Sequence, residues 1–223
     1  IRKKIQYSLL DFVVVTVVFT FGGLSQKASK RVAAMLVFFT RPFLFKHIKI
    51  IDANLQAAFP EKSEAELLAL RKQNLHYLAE LGLDFLQALK YPERIKLKVE
   101  DTDFIKKIRE SDQVGIFCTP HMGNWEILIH FLPHLKREFL IIAADLRSNK
   151  LNELMQKARS SKGAEVISYQ GATLKVRRAL REKKSIGLLI DQNISPKRGG
   201  IFVNFFSLPA PTSRLPAALA RRE

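Results

Sequence analysis

The sequence is short of cysteine, tryptophan and acidic residues, and each shortage closes off a class of function. A single cysteine, Cys118, in 223 residues excludes an intrachain disulfide and a zinc site built on cysteines. It leans toward a reducing compartment. Asp and Glu number 21 against 37 Lys and Arg, a formal net charge of +16. That balance calls for an anionic partner: acidic lipid, acidic protein or nucleic acid. Nucleic acid is set aside. The aromatics are mostly Phe (16, with 4 Tyr and 1 Trp), few lie beside Lys or Arg, and no nucleic-acid module is recognisable. No internal repeat or low-complexity tract interrupts the chain. Its length suits one domain with a sizeable core plus appendages.

What is present centres on Thr119-Pro120-His121-Met122-Gly123-Asn124-Trp125-Glu126. The apolar run Val114–Cys118 before it reads as a buried strand, and Ile127–Leu132 after it continues as a helix. His121 therefore sits where a strand hands over to a helix, the crevice in which open α/β sheets bind ligands. Helical side chains lean toward the N-terminus, so a first-turn Glu126 is expected to reach back toward the imidazole. A carboxylate there fixes the ring's tautomer and makes His121 a candidate general base. The N–H groups of the helix start are candidate anion or oxyanion ligands. The plainer alternative is a loop histidine and a first-turn Glu favoured by the helix dipole.

Ile5–Leu24 is the most hydrophobic stretch and is about long enough to cross a bilayer as a helix. Arg2, Lys3 and Lys4 precede it, and Lys27, Lys30 and Arg31 follow it. It reads as a membrane helix or a monotopic anchor, with a buried core helix as the alternative because of Asp11. A second apolar segment, Val32–Phe45, is interrupted by Arg41-Pro42 and ringed by basic residues, so it lies in a headgroup region or packs in a core. Ser63 and Glu66 form a capping box, and apolar residues at helical spacing run from Leu68 to Leu89 before Tyr91-Pro92 ends the helix. Glu93–Asp103 is the expected linker.

From Val114 onward strands and helices alternate: strands at 114–118, 139–143, 164–168 and 186–190, and helices at 123–136, 149–162 and 172–183. Ser148 caps one helix and Gly163 ends it. The expected fold is α/β, a mostly parallel sheet with flanking helices, preceded by an N-terminal helical membrane-associated region. The division is residues 1–31 as anchor, 32–100 as a helical membrane-proximal region and 101–223 as the α/β core. Arg147 follows the 139–143 strand, and Arg159 lies late in the next helix, where it either binds phosphate or complements a helix C-terminus. Asp191-Gln192 ends the last of these strands, on the same edge as His121. A strand-end Asp is also a common turn residue.

The motif His121-Met122-Gly123-Asn124-Trp125-Glu126 strongly resembles the His-[Phe/Met/Leu]-Gly-Asn-Trp-Glu motif of the bacterial lipid A biosynthesis acyltransferases, the late or secondary enzymes of that kind. They are relatives of the glycerolipid acyltransferases with their His-x-x-x-x-Asp motif. Asn54-Leu55-Gln56-Ala57-Ala58-Phe59-Pro60, Asp191-Gln192 and the run from Val203 to Ala220 are similar to further family segments, with Ser207 in place of the usual Gly. The likeness covers most of residues 45–220.

The resemblance implies a glycerolipid-acyltransferase-like fold and acyl transfer from a thioester to a lipid hydroxyl, with His121 as base and Glu126 as its orienter. It implies Asn124, Arg147, Arg159, Asp191 and Gln192 at the substrate site, with Lys150 as a further phosphate ligand. It implies acyl-carrier protein as the acidic donor partner, a phosphorylated glucosamine-based lipid A precursor as acceptor, and the cytoplasmic face of the inner membrane. No metal and no redox cofactor are implied. Transfer to another phospholipid or glycolipid from acyl-CoA, or a lipid-binding protein without turnover, are the alternatives. The chain begins with Ile1 rather than Met, and family members continue past the position of Glu223, so the resemblance implies a piece of a longer protein.

Overall fold

The computed structural model describes residues 2–144, 148–160, 163–169 and 171–221, and side chains from Asp11 onward except those of Ser160 and Thr173. Four helices come first: α1 (Arg2–Phe21), α2 (Gln26–Thr40), α3 (Phe45–Ala58) and α4 (Glu64–Lys90). Their ends follow local chemistry. Ser25 accepts from the Ala28 N–H to start α2, and Ser63 and Glu66 close the expected capping box at α4. Arg41-Pro42 stops α2, because proline has no N–H to continue it, and a 3₁₀ turn (Arg41–Leu44) redirects the chain into α3.

No helix among the described residues is long and apolar enough to cross a membrane. Instead α1 lays one stripe on the rest of the protein. Val14 and Val18 pack with Phe85, Leu86 and Leu89 of α4 and with Leu151 and Met155 of the later helix α6 (Asn149–Ser160). The spacing of Asp11, Val14, Val18 and Gly22 along α1 puts them on one helical face, while Phe12, Val13 and Phe19 face outward. Gly22 is needed for this contact, since a Cβ there would lie 2.5 Å from the Val18 carbonyl oxygen and 2.8 Å from that of Leu86. The Asp11 carboxylate is used as well. It accepts from Ser148 Oγ at 2.6 Å and from the Lys150 backbone N–H at 3.2 Å, while Ser148 Oγ caps α6 by accepting from the Leu151 N–H.

After α5 (Asp103–Glu110), a short helix that begins at the last residue of the expected linker, come β1 (Ile116–Thr119), β2 (Phe139–Ala143), α6, β3 (Ala164–Ser168), α7 (Ala172–Arg181) and β4 (Ser185–Leu189). The sheet is wholly parallel, in the order β1-β4-β2-β3. Because strand side chains alternate, both faces are apolar. Leu140, Ile167, Ile186 and Leu188 meet Val176, Ala179 and Leu180 of α7 on one side. Phe139, Phe117 and Ile141 meet Ile129, Leu135 and Ile108 on the other.

The helix expected over 123–136 is not α-helical. It is two 3₁₀ turns, Trp125–His130 and Leu132–Leu135. Pro133 cannot donate to the Ile129 carbonyl, and Gly123 (φ 63°) and Lys136 (φ 51°) bracket the segment in left-handed conformations. Beyond the sheet, β5 (Gly200–Phe205) and β6 (Leu208–Ser213) form an antiparallel hairpin outside the expected set of strands, followed by α8 (Leu215–Ala220). Its two-residue turn puts Phe206 at φ 48° and Ser207 at φ 60°. Such a turn favours glycine, the residue that the related motif carries at 207.

Candidate active site

Parallel pairing of β1 with β4 sets Thr119 opposite Leu189. His121 and Asp191, each two residues further on, therefore leave the sheet side by side. Asp191 takes both available donors of His121: its Oδ2 accepts from the backbone N–H at 2.9 Å, and its Oδ1 lies 2.7 Å from Nδ1. An ionised carboxylate only accepts, so Nδ1 carries the proton and the Nε2 lone pair is left for chemistry. Burial works to raise the Asp191 carboxyl, but the hydrogen bonds from the His121 ring and backbone outweigh it and hold the group below the usual carboxylate value. The charged form is the one that orients the imidazole.

Glu126 does not reach the imidazole. Its carboxylate is gripped by Arg159, with Nε donating to Oε2 at 2.9 Å and Nη2 donating to Oε1 at 2.6 Å. Trp125 Nε1 donates to the same Oε1 at 3.1 Å. The back-reach expected of Glu126 assumed an α-helical first turn, and the tighter 3₁₀ turn aims the side chain elsewhere. Trp125 joins the two halves of the site, because its ring meets the His121 ring edge-on with centroids 4.9 Å apart. The result is a continuous row: Asp191, His121, Trp125, Glu126, Arg159. The Glu126–Arg159 pair is nearly enclosed, with side chains 12% and 14% exposed.

That pair supplies the charged side chains lining a cavity of about 250 Å³. Its walls are apolar, among them Phe117, Leu128, Phe131, Leu135 and Phe139, and Gly187 of β4 leaves its floor without a side chain. Cys118 also lines it, its thiol pushed above the ordinary value by burial. No group of three or more His, Cys, Asp or Glu suited to a metal occurs among the described residues.

Of the other residues singled out in the sequence, Arg147 lies outside the described residues. Asn124 precedes the first 3₁₀ turn, and its Oδ1 is buried with no hydrogen-bond partner among the described residues. Gln192 is exposed beside Asp191. Lys150 is spoken for at both ends, its N–H by Asp11 and its Nζ by Glu153 at 2.8 Å. The fork of Arg159, expected at a phosphate, is turned to Glu126. The role of Asp191 as the partner of His121 was not foreseen. The available signal was its place, two residues past a strand predicted to end on the same sheet edge.

A parallel sheet that holds a carboxylate-paired imidazole at its strand ends, beside an apolar cavity, is an α/β arrangement that suits proton-transfer chemistry next to an apolar group. The family model for bacterial lipid A biosynthesis acyltransferases matches residues 2–223, and the chain belongs to that family. It is thus an acyltransferase of lipid A biosynthesis. No curated protein matches the chain.

Proposed function

We propose that the protein moves a fatty acyl chain from the thioester of acyl-carrier protein to a hydroxyl of a lipid A precursor, at the cytoplasmic face of the inner membrane. The observation that carries this reading is the His121 ring, with Nδ1 tied to Asp191 and Nε2 left as a base, beside a cavity that suits a hydrocarbon chain. Nε2 takes the proton of the acceptor hydroxyl as its oxygen attacks the thioester carbonyl. The tetrahedral intermediate collapses with loss of the C–S bond, and the imidazolium returns the proton to the departing thiolate. Asp191 holds the ring through both transfers and stabilises its charged form. Glu126, held by Arg159 and Trp125, fixes the indole against the imidazole and lines the acyl cavity.

The formal charge of +16 suits an acidic carrier protein and an anionic lipid surface alike. A surface for the bilayer is supported by the α2–α3 corner. There Phe38, Phe39, Phe43 and Phe45 are exposed beside Arg41, Lys46 and Lys49, a combination that favours the interface of an anionic membrane. The test of the activity is mass spectrometry of the lipids formed from purified precursor and a panel of acyl thioesters. An acylated precursor with the wild type and none with His121→Ala is expected. Product from both proteins would remove His121 from the reaction, and product from neither would remove the acyl transfer.

A further inference from the structure

Helix α6 carries Arg159 to the active site, yet its apolar residues are not part of the sheet's core. Leu151 and Met155 join Val14 and Val18 of α1 and Phe85, Leu86 and Leu89 of α4. Neither apolar cluster on the sheet includes a residue of α6 among the described residues. Leu151, Met155 and Arg159 are four apart, so they follow one another along a single stripe of the helix. The stripe that seats α6 on α1 is therefore the one that ends in the guanidinium.

The start of α6 is held from α1 as well. Asp11 Oδ1 accepts from Ser148 Oγ at 2.6 Å and from the Lys150 N–H at 3.2 Å, and Ser148 Oγ accepts from the Leu151 N–H at 3.0 Å. At the far end Arg159 grips Glu126, Trp125 donates to the same carboxylate, and the indole meets the His121 ring. A helix is stiff over the about 13 Å from Lys150 to Arg159, whereas a hydrogen bond tolerates only a few tenths of an ångström. A shift of α6 on α1 is thus a shift of the guanidinium against Glu126, and the indole and imidazole beyond it follow.

We propose that Asp11 is a positioning residue for the active site. By holding α6 on α1 it sets Arg159, and through Glu126 and Trp125 it sets the ring of His121. Helix α1 then belongs to the catalytic apparatus instead of being an appendage to it. The effect on turnover rests on the acyl-transfer reading, whereas the order imposed on Trp125 does not.

Trp125 is the only tryptophan in the chain, so its emission reports this row of side chains directly. The full chain is compared with Asp11→Ala, Asp11→Asn and Ser63→Ala. Asn keeps the one oxygen that both bonds use, so Asp11→Asn should behave as wild type. Ser63→Ala removes the cap of α4, a loss of the same kind outside the row, and controls for lost stability alone. In Asp11→Ala the emission of Trp125 should move to longer wavelength and be quenched more readily by acrylamide. Its kcat for acyl transfer should fall about threefold to thirtyfold, as for changes along a coupled network, with the KM for acceptor unchanged. Wild-type emission in Asp11→Ala would overturn the proposal, and so would a shifted emission with wild-type kcat. The same changes in Ser63→Ala would make them the mark of any lost cap and would overturn it too. An Asp11→Asn protein as impaired as Asp11→Ala would overturn the assignment to the shared oxygen. A wild type that makes no acylated product would remove the acyl-transfer reading, while the emission of the four proteins would still decide the place of Asp11.

Discussion

At the scale of single residues, the carboxylate beside the base is the main point of interest. Asp191 and His121 should behave as one unit. His121→Ala and Asp191→Asn should each lower turnover by about two orders of magnitude or more, and the double variant should be hardly worse than His121→Ala. The amide of Asn can donate to Nδ1, which would move the ring proton to Nε2 and disable the base. Initial rates, with circular dichroism as a folding control, check this, and fully multiplicative losses would break the unit apart. The folded-state pKa of Asp191 lies below its ordinary value. Its stabilising contribution is therefore complete above about pH 4 and is lost as pH falls through the lower folded-state value. Acid unfolding of Asp191→Asn should be correspondingly flatter, by a small margin because the side chain is 37% exposed. The Glu126–Arg159 pair is more deeply set. Arg159→Ala leaves a nearly buried carboxylate alone and should cost about 3–5 kcal/mol, whereas Glu126→Gln combined with Arg159→Met should cost much less. Chemical denaturation of the three proteins decides it. A harmless Arg159→Ala would mean that the pair is more hydrated than its enclosure indicates.

At the scale of elements, the four parallel strands and helices α4, α6 and α7 were legible, while the β5–β6 hairpin and the catalytic segment were not. The strand at 139–143 is a continuous apolar run, the one at 164–168 follows Gly163 and carries Val166 and Ile167, and the 63–66 capping box works as written. The segment after His121 has an apolar spacing that also suits an α-helix, and only Pro133 warned otherwise. The partnership that spacing suggested, His121 with Glu126, is replaced by two partnerships across the sheet: His121 with a residue 70 positions away and Glu126 with one 33 away. Local pattern cannot carry contacts that depend on strand order. The place of α1 was likewise half legible. Asp11 argued for contact with protein, and it caps α6, whose far end carries Arg159. Asp11→Ala should cost about 0.5–2 kcal/mol, as losing a helix cap does. Hydrogen exchange should quicken at the amides of residues 150–152. Unchanged protection there would mean that Ser148 alone suffices as the cap.

At the scale of the whole molecule, charge and exposed aromatic rings act together. Full-length protein should bind vesicles containing anionic lipid more tightly than purely zwitterionic ones, and salt should weaken that binding. Replacing Phe39 and Phe43 by Asp should reduce it at every salt concentration without disturbing the fold, since both rings are already in solvent. Sedimentation with vesicles measures both effects. Binding indifferent to the two substitutions would move the contact surface elsewhere, with the outer face of α1 the next place to look.

The strand order also has a consequence for biogenesis. Within the four-stranded sheet β1 pairs only with β4, which also pairs with β2. During synthesis, β1 through β3 leave the ribosome while the strand that must sit between β1 and β2 is still unmade. A nascent chain halted before residue 185 would present β1 and one side of β2 unpaired, edges of the kind that recruit other chains. The delivery of Asp191 to His121 and the closure of the sheet are then a single late event. Stalled or truncated products should go to chaperones or aggregates rather than survive as partly active enzyme.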